Sequence, residues 1–354
     1  MQKVGIVGFH NLHLMQFLYK YTDILDLREI PYDVLYWDRN PSLEIEVKKF
    51  QGNSIPFSYE MNNYQPKYKK IIGFIKCILF MRKKIRENQY DKMIFLTTQT
   101  ILPLLFVAIR YKEKYIYDYR DITYEKNKLA KKMIRYLIQN SYITCMSSMG
   151  FKKVVGDNEK ILQSHNCSEI AYEKVHKKKN EKLRITFWGM VRQIEFNQKI
   201  CDIFGNNERL ILTYHGEGYS DKLKEYCDKK NYHNIYFTGR YRTTEIKGFA
   251  EETDILLNIY ENDEQQKLAM TVKYYDAIRY GVPMIVAKGS YMEENLRGNE
   301  AVYFMDVDHP DVDELLKWYQ IVVKQDGYFY QKELDKIKKD DMIFEKKLIE
   351  FCLR

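Results

Sequence analysis

The segment from residue 255 to residue 287 constrains the fold more than any other part of the chain. Two apolar runs, 255–259 and 284–287, enclose a polar loop and an amphipathic stretch. Thr271 predicts the N-cap of a helix, Gly281 predicts its C-cap, and Pro283 cannot continue it. The segment therefore predicts a strand, a loop, a helix and a second strand, as in an α/β protein.

The start of this helix also predicts an anion site. The first backbone N–H groups of a helix have no acceptor within it and carry partial positive charge. Lys273 adds a full charge in the first turn, and Asp276 is near enough to pair with it or to accept from a sugar hydroxyl. We expect the preceding loop to hold a phosphate, although the pattern also fits an ordinary helix with a solvated lysine and aspartate.

Length and charge restrict the class of protein. The 354 residues predict two domains. Lysine and arginine number 57 against 49 acidic residues, a formal charge of +8 that suits an anionic ligand, an anionic membrane surface or nucleic acid. Because the charge is not gathered into a recognisable nucleic-acid module, we expect no nucleic-acid partner.

The cysteines and the amino terminus indicate the compartment. Six scattered cysteines form no C-x-x-C pair, and the first residues enter a strand without a signal-peptide pattern, so we expect a cytoplasmic protein. The longest uncharged run, 93–109, is shorter than the roughly 20 apolar residues of a membrane span. It predicts a strand followed by a buried helix.

The first half of the chain alternates strands and helices, which predicts a doubly wound parallel sheet. The predicted strands are 3–7, 33–36, 93–96, 114–117 and 142–146. Gly8, His10 and Asn11 follow the first strand and Arg120 and Asp121 follow the fourth, at the sheet edge where ligands bind. His10 lacks the further ligands that a metal site needs, and we expect none.

Two basic, apolar helices are predicted at 67–86 and 126–139. Such helices bind anionic lipid surfaces, with their apolar face in the headgroup region and their lysines near the phosphates. The alternative is a pair of sheet-packing helices whose ends are basic.

A charged run at 173–182 predicts an interdomain linker, after which the alternation of strands and helices restarts. Strands at 184–188, 210–214 and 235–237 each end near a glycine, which permits close approach of backbone to a ligand. Arg192 and Arg240 follow two of these strands, and arginine binds phosphate through charge-assisted hydrogen bonds.

Taken in order, the motifs FWGMVR, YHGEG, YFTGRY and TVKYYDAIRYGVP resemble those of the GT-B glycosyltransferases. The resemblance is closest to the family 4 group of bacterial capsule and O-antigen synthesis. The last motif looks like that group's K-x-[YF]-E-[YA]-x-x-x-G-x-P signature, FWGMVR resembles its F-x-G-x-x-R strand end, and YDYRD resembles its first-domain Asp-x-Arg-Asp turn. The resemblance covers most of the chain and is strongest over 184–287.

The resemblance implies an α/β protein of the GT-B fold, with two Rossmann-like doubly wound domains facing across a cleft. The acceptor domain would span 1–175 and the nucleotide-sugar domain 183–335. A carboxyl-terminal helix, 336–354, would cross back to the first domain.

The resemblance also implies roles for particular residues. Arg192 and Lys273, with the amides of Thr271 and Val272, would hold a diphosphate, and Asp276 would accept from the ribose hydroxyls. The full set expected to bind the nucleotide sugar is Gly189, Arg192, Gly216, Arg240, Tyr241, Thr271, Val272, Lys273 and Asp276. The acceptor side would be Gly8, His10 and Asn11, and the expected catalytic residues are Asp121, Arg120 and Glu264.

Two positions depart from the family pattern. The family often has a pair of glutamates, for which this chain has Leu268 and Asp276, so Glu264 or Asp263 would have to substitute for the first. A lysine that often follows the strand-end arginine is replaced by Asn197. An Asp-x-Asp triplet at 306–308 precedes a predicted helix start near Asp311, which indicates helix capping rather than a metal site.

By resemblance, the chain is a glycosyltransferase that moves a sugar from a UDP- or GDP-sugar to a polyprenyl-linked or growing glycan acceptor. It would act in surface polysaccharide synthesis on the inner face of the membrane, with retention and without a metal or cofactor. One alternative is a transferase acting on protein or on a small soluble acceptor. Another is a non-catalytic scaffold subunit of the same fold. The sequence makes no prediction of the oligomeric state.

Overall fold

Apolar runs of four to seven residues form most strands of two separate parallel sheets. The computed structural model describes residues 2–41, 47–61, 65–167, 170–177, 180–325 and 327–354. The chain divides into one unit comprising Met1–Ser168 with Lys339–Arg354 and a second comprising Glu169–Lys338. Each unit contains one sheet.

Seven strands form the sheet of the first unit, in the order β3-β2-β1-β4-β5-β6-β7. They are β1 Val4–Gly8, β2 Tyr32–Asp38, β3 Asn53–Ser58, β4 Lys92–Leu96, β5 Tyr115–Tyr119, β6 Ile143–Met146 and β7 Ile161–Gln163. The order reverses between β1 and β4, which confirms the doubly wound arrangement expected from the sequence.

The helices of the first unit connect these strands. They are α1 Tyr19–Leu27, α2 Lys67–Asn88, α3 Thr98–Ile101, α4 Leu105–Arg110, α5 Lys128–Asn140 and α6 Lys152–Val155. The two predicted basic helices are confirmed as α2 and α5, and α5 begins at Asn127, whose side chain accepts from the N–H groups of Leu129 and Ala130.

The second sheet has six strands in the order β10-β9-β8-β11-β12-β13. They are β8 Leu183–Trp188, β9 Leu210–His215, β10 Ile235–Gly239, β11 Ile255–Asn258, β12 Met284–Ala287 and β13 Val302–Met305. The helices of this unit are α7 Ile194–Phe204, α8 Ser220–Lys229, α9 Ile246–Glu252, α10 Val272–Tyr280, α11 Tyr291–Leu296 and α12 Val312–Val322. A long last helix, α13, runs over Gln331–Leu353.

The sequence did not predict β3, β7 and β13, all of which are edge strands. Pro56 within β3 argues against a strand, because proline cannot donate to a ladder, but an edge strand tolerates it where no acceptor faces the nitrogen. The four residues of β13 have no alternation that distinguishes them from a loop.

Each unit has its own hydrophobic core. In the first, Val4, Ile6 and Ile94 pack with Phe344 and Leu348 of α13. In the second, Ile185 of β8 and Leu212 of β9 pack with Phe204 of α7, Leu223 of α8 and Leu315 of α12. Among the described residues, no helix combines the length and apolar character that crossing a membrane requires.

Candidate functional site

The second sheet has its switch point between β8 and β11, which pair directly. From β8 the chain proceeds through α7 to β9, and from β11 it proceeds through α10 to β12 in the opposite direction. Because such connections are right-handed, α7 and α10 lie on opposite faces of the sheet. The loops after β8 and β11 therefore border the crevice in which doubly wound sheets bind ligands.

Helix α10 begins and ends at the residues that the sequence predicted. The Thr271 side chain accepts from the N–H of Tyr274 and donates to Oδ1 of Asn258 at 2.8 Å. Asn258 is the last residue of β11, so the cap also fixes the helix start to that strand. At the other end, Gly281 has φ 62° and its N–H bonds to the carbonyl of Ala277.

The Lys273 side chain turns inward beneath the loop that follows β8. Its Nζ donates to the carbonyl oxygen of Trp188 at 3.0 Å and to the hydroxyl of Tyr260. The ammonium also lies 3.9 Å from the centroid of the Phe187 ring, a cation–π contact. A positive charge is thus enclosed by a carbonyl, a hydroxyl and two aromatic rings.

This enclosure changes the acid–base behaviour of the lysine. Burial lowers the pKa of Lys273 to about 7; the carboxylate of Asp276 opposes this shift, and the charge of Arg192 adds to it. The group is therefore near its titration point at neutral pH. An anion bound nearby would favour the charged form.

Asp276 is held by the same strand end. Its Oδ2 accepts from the indole Nε1 of Trp188 at 2.9 Å. Burial raises the pKa of this carboxyl, while the Trp188 hydrogen bond and the charge of Lys273 oppose the rise. Burial and the nearby Asp276 carboxylate raise the pKa of Tyr241 to about 12, so Tyr241 stays neutral.

The glycines at the ends of β8 and β9 pack backbone against backbone. Gly216 has φ 142°, and a Cβ there would lie 1.8 Å from the carbonyl oxygen of Gly189. Its N–H donates to the carbonyl of Gly239 at 2.7 Å. The atom nearest to a Cβ built on Gly189 is Nζ of Lys273, at 3.3 Å. The lysine therefore lies directly against a backbone surface without side chains.

Asn197 explains one of the two departures from the family pattern. It is buried in α7, and its Nδ2 donates to the carbonyl oxygens of Arg192 and Gln193. The asparagine thus fixes the turn that carries the exposed Arg192. The site therefore has one cation fewer than the family pattern, but the hydrogen bonds of Asn197 hold the turn after β8 in place.

The ends of β9 and β10 present aromatic rings. His215 stacks on Phe249 with ring centroids 3.7 Å apart, and its Nδ1 is 2.7 Å from Oγ1 of Thr238. Burial lowers the pKa of His215 to about 4, so it is neutral. Tyr241 contacts Phe249 edge-on at 5.3 Å, while Arg240 is exposed, with Nε 3.7 Å from Glu217.

A cavity of about 960 Å³ opens at the carboxyl edge of the second sheet, at the ends of β11, β12 and β13 and beside Tyr260, and none of the nine residues expected to bind the nucleotide sugar lines it. It is large enough for a ligand of nucleotide size. Its lining residues include Gln193, Glu195, Tyr260, Lys288, Asp306 and Asp308.

Two acidic residues at this edge, Asp306 and Asp308, contact neighbouring groups of the protein. Asp306 accepts from the N–H groups of Asp308 and His309, and Asp308 pairs with Lys199. The expected helix start near Asp311 is confirmed, because Asp311 accepts from the N–H of Glu314, whereas Asp306 and Asp308 lie before the helix and do not cap it. Within the described residues, no three His, Cys, Asp or Glu side chains are grouped as metal ligands. Glu264 lies on the exposed turn before α10.

The first unit has a smaller cavity of about 110 Å³ at the carboxyl edge of its own sheet. It brings together His10 after β1, Thr97 and Gln99 after β4, and Asp121 after β5. Burial lowers the pKa of His10 to about 4; the charge of Arg39 adds to this, and a hydrogen bond with Gln99 opposes it. A neutral histidine and a carboxylate therefore face one small space.

The two other residues expected on the acceptor side, Gly8 and Asn11, do not line this cavity. Asn11 accepts from the N–H of Arg39 at 2.7 Å, and Gly8 ends β1 against Met15. Arg120 does not line the cavity. Its guanidinium is buried against Asp118, with Nη2 2.9 Å from Oδ2, and it donates to the carbonyl of Ser164.

Sequence reasoning missed several residues at both edges. Thr97 has φ 72° and ψ 156°, a conformation that a β-branched residue rarely adopts and that is found at ligand sites. No role was assigned to Tyr260 or Trp188 from the sequence. Tyr260 directly follows the apolar run 255–259 and Trp188 ends the run 184–188, and both runs lie beside the switch point. Asn258 had the same signal, a polar residue at the end of a buried strand.

Comparison with known proteins gives the fold. No family model matches the chain, and no curated protein sequence matches it. A sucrose-phosphate synthase from Thermosynechococcus elongatus matches with a TM-score of 0.70 at 8% identity, over 99% of this chain and 95% of that one. The lipopolysaccharide outer core galactosyltransferase WaaB matches with a TM-score of 0.66 at 12% identity, over 99% of both chains.

A third solved structure is HepE from Anabaena, in complex with UDP and glucose. It has a TM-score of 0.60 at 11% identity, over 100% of this chain and 98% of that one. At these identities the similarity establishes the fold. The two parallel-sheet α/β units of this chain have the fold of the GT-B glycosyltransferases.

Proposed function

We propose that this chain is a GT-B glycosyltransferase, similar to family 4, that uses a nucleotide diphosphate sugar as donor. The observation that carries the proposal is the position of Lys273. A buried ammonium with a pKa near neutrality lies against the glycine turn after β8 and in the first turn of α10. Such an arrangement favours a bound anion, and it occurs at the switch point of a sheet with the transferase fold.

Three groups would bind the diphosphate. Exposed Arg192 extends from the turn that Asn197 fixes, and the N–H groups of Thr271 and Val272 begin α10. Lys273 adds its charge from beneath, through the side-chain-free backbone of Gly189. As the sugar leaves, the charge that develops on the diphosphate would be stabilised by these preorganised groups, without a metal ion.

The nucleoside would lie over the ends of β8 to β10. Asp276, oriented by Trp188, would accept from the ribose hydroxyls. The turn with Arg240 and Tyr241, next to the stacked His215 and Phe249, would contact the base. Gly216 would serve the nucleotide-sugar site by letting the ends of β8 and β9 pack together, because a Cβ there would lie 1.8 Å from the Gly189 carbonyl oxygen.

The acceptor would bind at the small cavity of the first unit. We assign Asp121 and neutral His10 to hydrogen bonds with sugar hydroxyls there, with Gly8 and Asn11 positioning the turn after β1 that carries His10. Arg120 acts as a positioning residue, since its buried pair with Asp118 orders the loop that carries Asp121. Glu264 is the carboxylate proposed for the donor-sugar side. The acceptor class is a polyprenyl-linked or growing glycan in surface polysaccharide synthesis, and transfer proceeds with retention.

The test is donor consumption by the purified chain. It would be incubated with UDP- and GDP-sugars and a polyprenyl diphosphate-linked saccharide, with and without EDTA, and released nucleoside diphosphate and extended acceptor would be measured. We expect one donor class to be consumed equally in EDTA, with the product anomer matching the donor. Lys273→Met serves as the inactive control. An intact protein that consumes no donor would contradict the proposal.

Two observations favour a second function, a non-catalytic subunit that keeps the fold. Leu268, at the position of the family's first glutamate, is buried, and Asn197 bonds to backbone where a lysine is common. Such a subunit would bind a nucleoside diphosphate but leave every donor intact. The same assay therefore separates the two functions.

A further inference from the structure

Helix α2 has two apolar stripes on different sides, although packing on one sheet requires only one. Gly73, Cys77, Met81 and Ile85, spaced four residues apart, are buried toward the sheet. The second stripe is exposed and consists of Tyr68, Ile71, Ile72, Ile75 and Leu79, whose exposed fractions run from 43% to 60%. A contiguous exposed apolar stripe of this kind marks an interaction surface.

The exposed stripe changes from apolar to basic along the helix. Arg82, Lys83 and Arg86 continue it at three, four and seven residues beyond Leu79, and all three are exposed. The only acidic residue of α2, Glu87, is within 4 Å of Lys83 and Lys84. The exposed stripe of α2 therefore carries large apolar side chains along most of its length and basic side chains at its carboxyl-terminal end.

Two further helices extend this surface. The connections from β3 to β4, from β4 to β5 and from β5 to β6 all run in one direction across the sheet, so α2, α4 and α5 lie on the same face. On this face α4 exposes Phe106, and α5 exposes Leu129 and Tyr136. We call the exposed residues of α2, α4 and α5 the basic-apolar face.

Charge identifies the partner. Helices α2 and α5 together carry twelve basic residues and one acidic residue, a net charge of +11. The whole chain has a net charge of +8, so the remainder has a net charge of −3. Two copies of the chain meeting through this face would bring like charges together. The complementary surface is an anionic one that also accepts apolar side chains.

We propose that the basic-apolar face binds an anionic lipid bilayer. The exposed isoleucines, Leu79 and Phe106 enter the boundary between headgroups and acyl chains, and the lysines and arginines contact lipid phosphates. This binding is separate from the donor chemistry proposed above, because its residues belong to helices on the face of the first sheet and none of them lines either cavity described above.

The experiment is sedimentation of the full chain with phosphatidylcholine vesicles, with and without phosphatidylglycerol, at low and high salt. Two variants probe the face: I71Q/I75Q removes apolar groups, and R82Q/K83Q/R86Q removes charge. The control variant is Ile321→Gln, which alters an equally exposed isoleucine in α12 of the second unit. All affected side chains are exposed, so folding is retained, which thermal unfolding verifies.

We expect binding to vesicles with phosphatidylglycerol, weakened by salt and lowered at least about tenfold by each face variant but not by the control. Absence of binding to anionic vesicles would overturn the proposal, and so would binding that both face variants leave unchanged. A dimer in analytical ultracentrifugation that I71Q/I75Q dissociates would overturn it in favour of a second copy. The rise in unfolding midpoint caused by UDP is measured in parallel and should be equal in all variants. If UDP causes no rise in any of them, the donor proposal fails whatever the vesicle result.

Discussion

Asp276 accepts a hydrogen bond of 2.9 Å from the indole nitrogen of Trp188, the last residue of β8. The carbonyl of the same tryptophan accepts from Lys273, three residues earlier in α10. One residue of the sheet thus orients both charged groups of the helix, a carboxylate proposed for the ribose and an ammonium proposed for the phosphates. The pair is set before any ligand binds, which is the preorganisation that catalysis by electrostatics requires.

Replacing Trp188 by phenylalanine tests this orientation. The substitution removes the donor to Asp276, and we expect UDP affinity to fall about 10- to 100-fold, because a hydrogen bond to a charged group contributes about 1.5–3 kcal/mol. Isothermal titration calorimetry measures it. Trp318→Phe is the matched control, since the Trp318 indole donates to the carbonyl of Glu300 away from the site. Equal affinities of both variants would contradict the assignment.

Arg192→Ala tests the phosphate contact. Arg192 is exposed, so the free energy of unfolding should change by less than about 0.5 kcal/mol. Loss of charge-assisted hydrogen bonds should weaken UDP binding about 10- to 100-fold and uridine binding hardly at all. Arg209→Ala, which alters an exposed arginine paired with Asp313, is the control. A similar loss for uridine and UDP would place the phosphates elsewhere.

The lysine makes nucleotide affinity dependent on pH. Because burial lowers the pKa of Lys273 to about 7, ligand-free protein loses this proton above neutrality, whereas a bound diphosphate favours the charged form. Binding therefore takes up a proton, and UDP affinity should fall by up to about tenfold per pH unit above 7. Calorimetry between neutral and alkaline pH measures this fall. Lys273→Met should show no such slope, and a wild-type affinity that stays constant would contradict the account.

The stability of the ligand-free protein should change with pH in the opposite sense. The pKa of Lys273 in the unfolded chain is about 10.4. Between about 7 and that value the unfolded chain binds a proton that the folded chain does not, so the free energy of unfolding rises with pH. Urea unfolding of wild type and Lys273→Met across this range should differ in slope.

Gly216→Ala tests the backbone contact beneath the nucleotide. A Cβ would lie 1.8 Å from the Gly189 carbonyl oxygen, at a φ that side chains rarely adopt. We expect a loss of about 2–4 kcal/mol in unfolding free energy, measured by urea denaturation. Gly248→Ala, in α9 with open space around it, should be neutral or stabilising by up to about 1 kcal/mol. If Gly216→Ala leaves the free energy of unfolding unchanged, the ends of β8 and β9 must separate easily.

Local chemistry was predictable from the sequence. Thr271 and Gly281 bound α10 because capping depends on the few residues around each helix end. The turns after β8, β9 and β10 were predicted because each apolar run ends near a glycine. The GT-B fold was expected from the order of these motifs and is confirmed by the solved structures.

Contacts between distant segments were not predictable. The bonds of Lys273 and Asp276 to Trp188 join residues more than eighty positions apart and exist only because β8 and β11 are neighbours. Arg120 was expected at the catalytic site because it follows β5. Its contacts with Asp118 and Ser164 could be seen only in the folded structure.

The most direct measurement of the central proposal is a thermal-shift screen of the purified chain against UDP, GDP, ADP, CMP and dTDP, with and without EDTA. A ligand that binds the folded state raises the unfolding midpoint by mass action. We expect one nucleoside diphosphate to raise the midpoint equally in the presence of EDTA, and Lys273→Met to abolish the shift. No shift with any nucleotide, from a folded protein, would contradict a donor site at the edge of the second sheet.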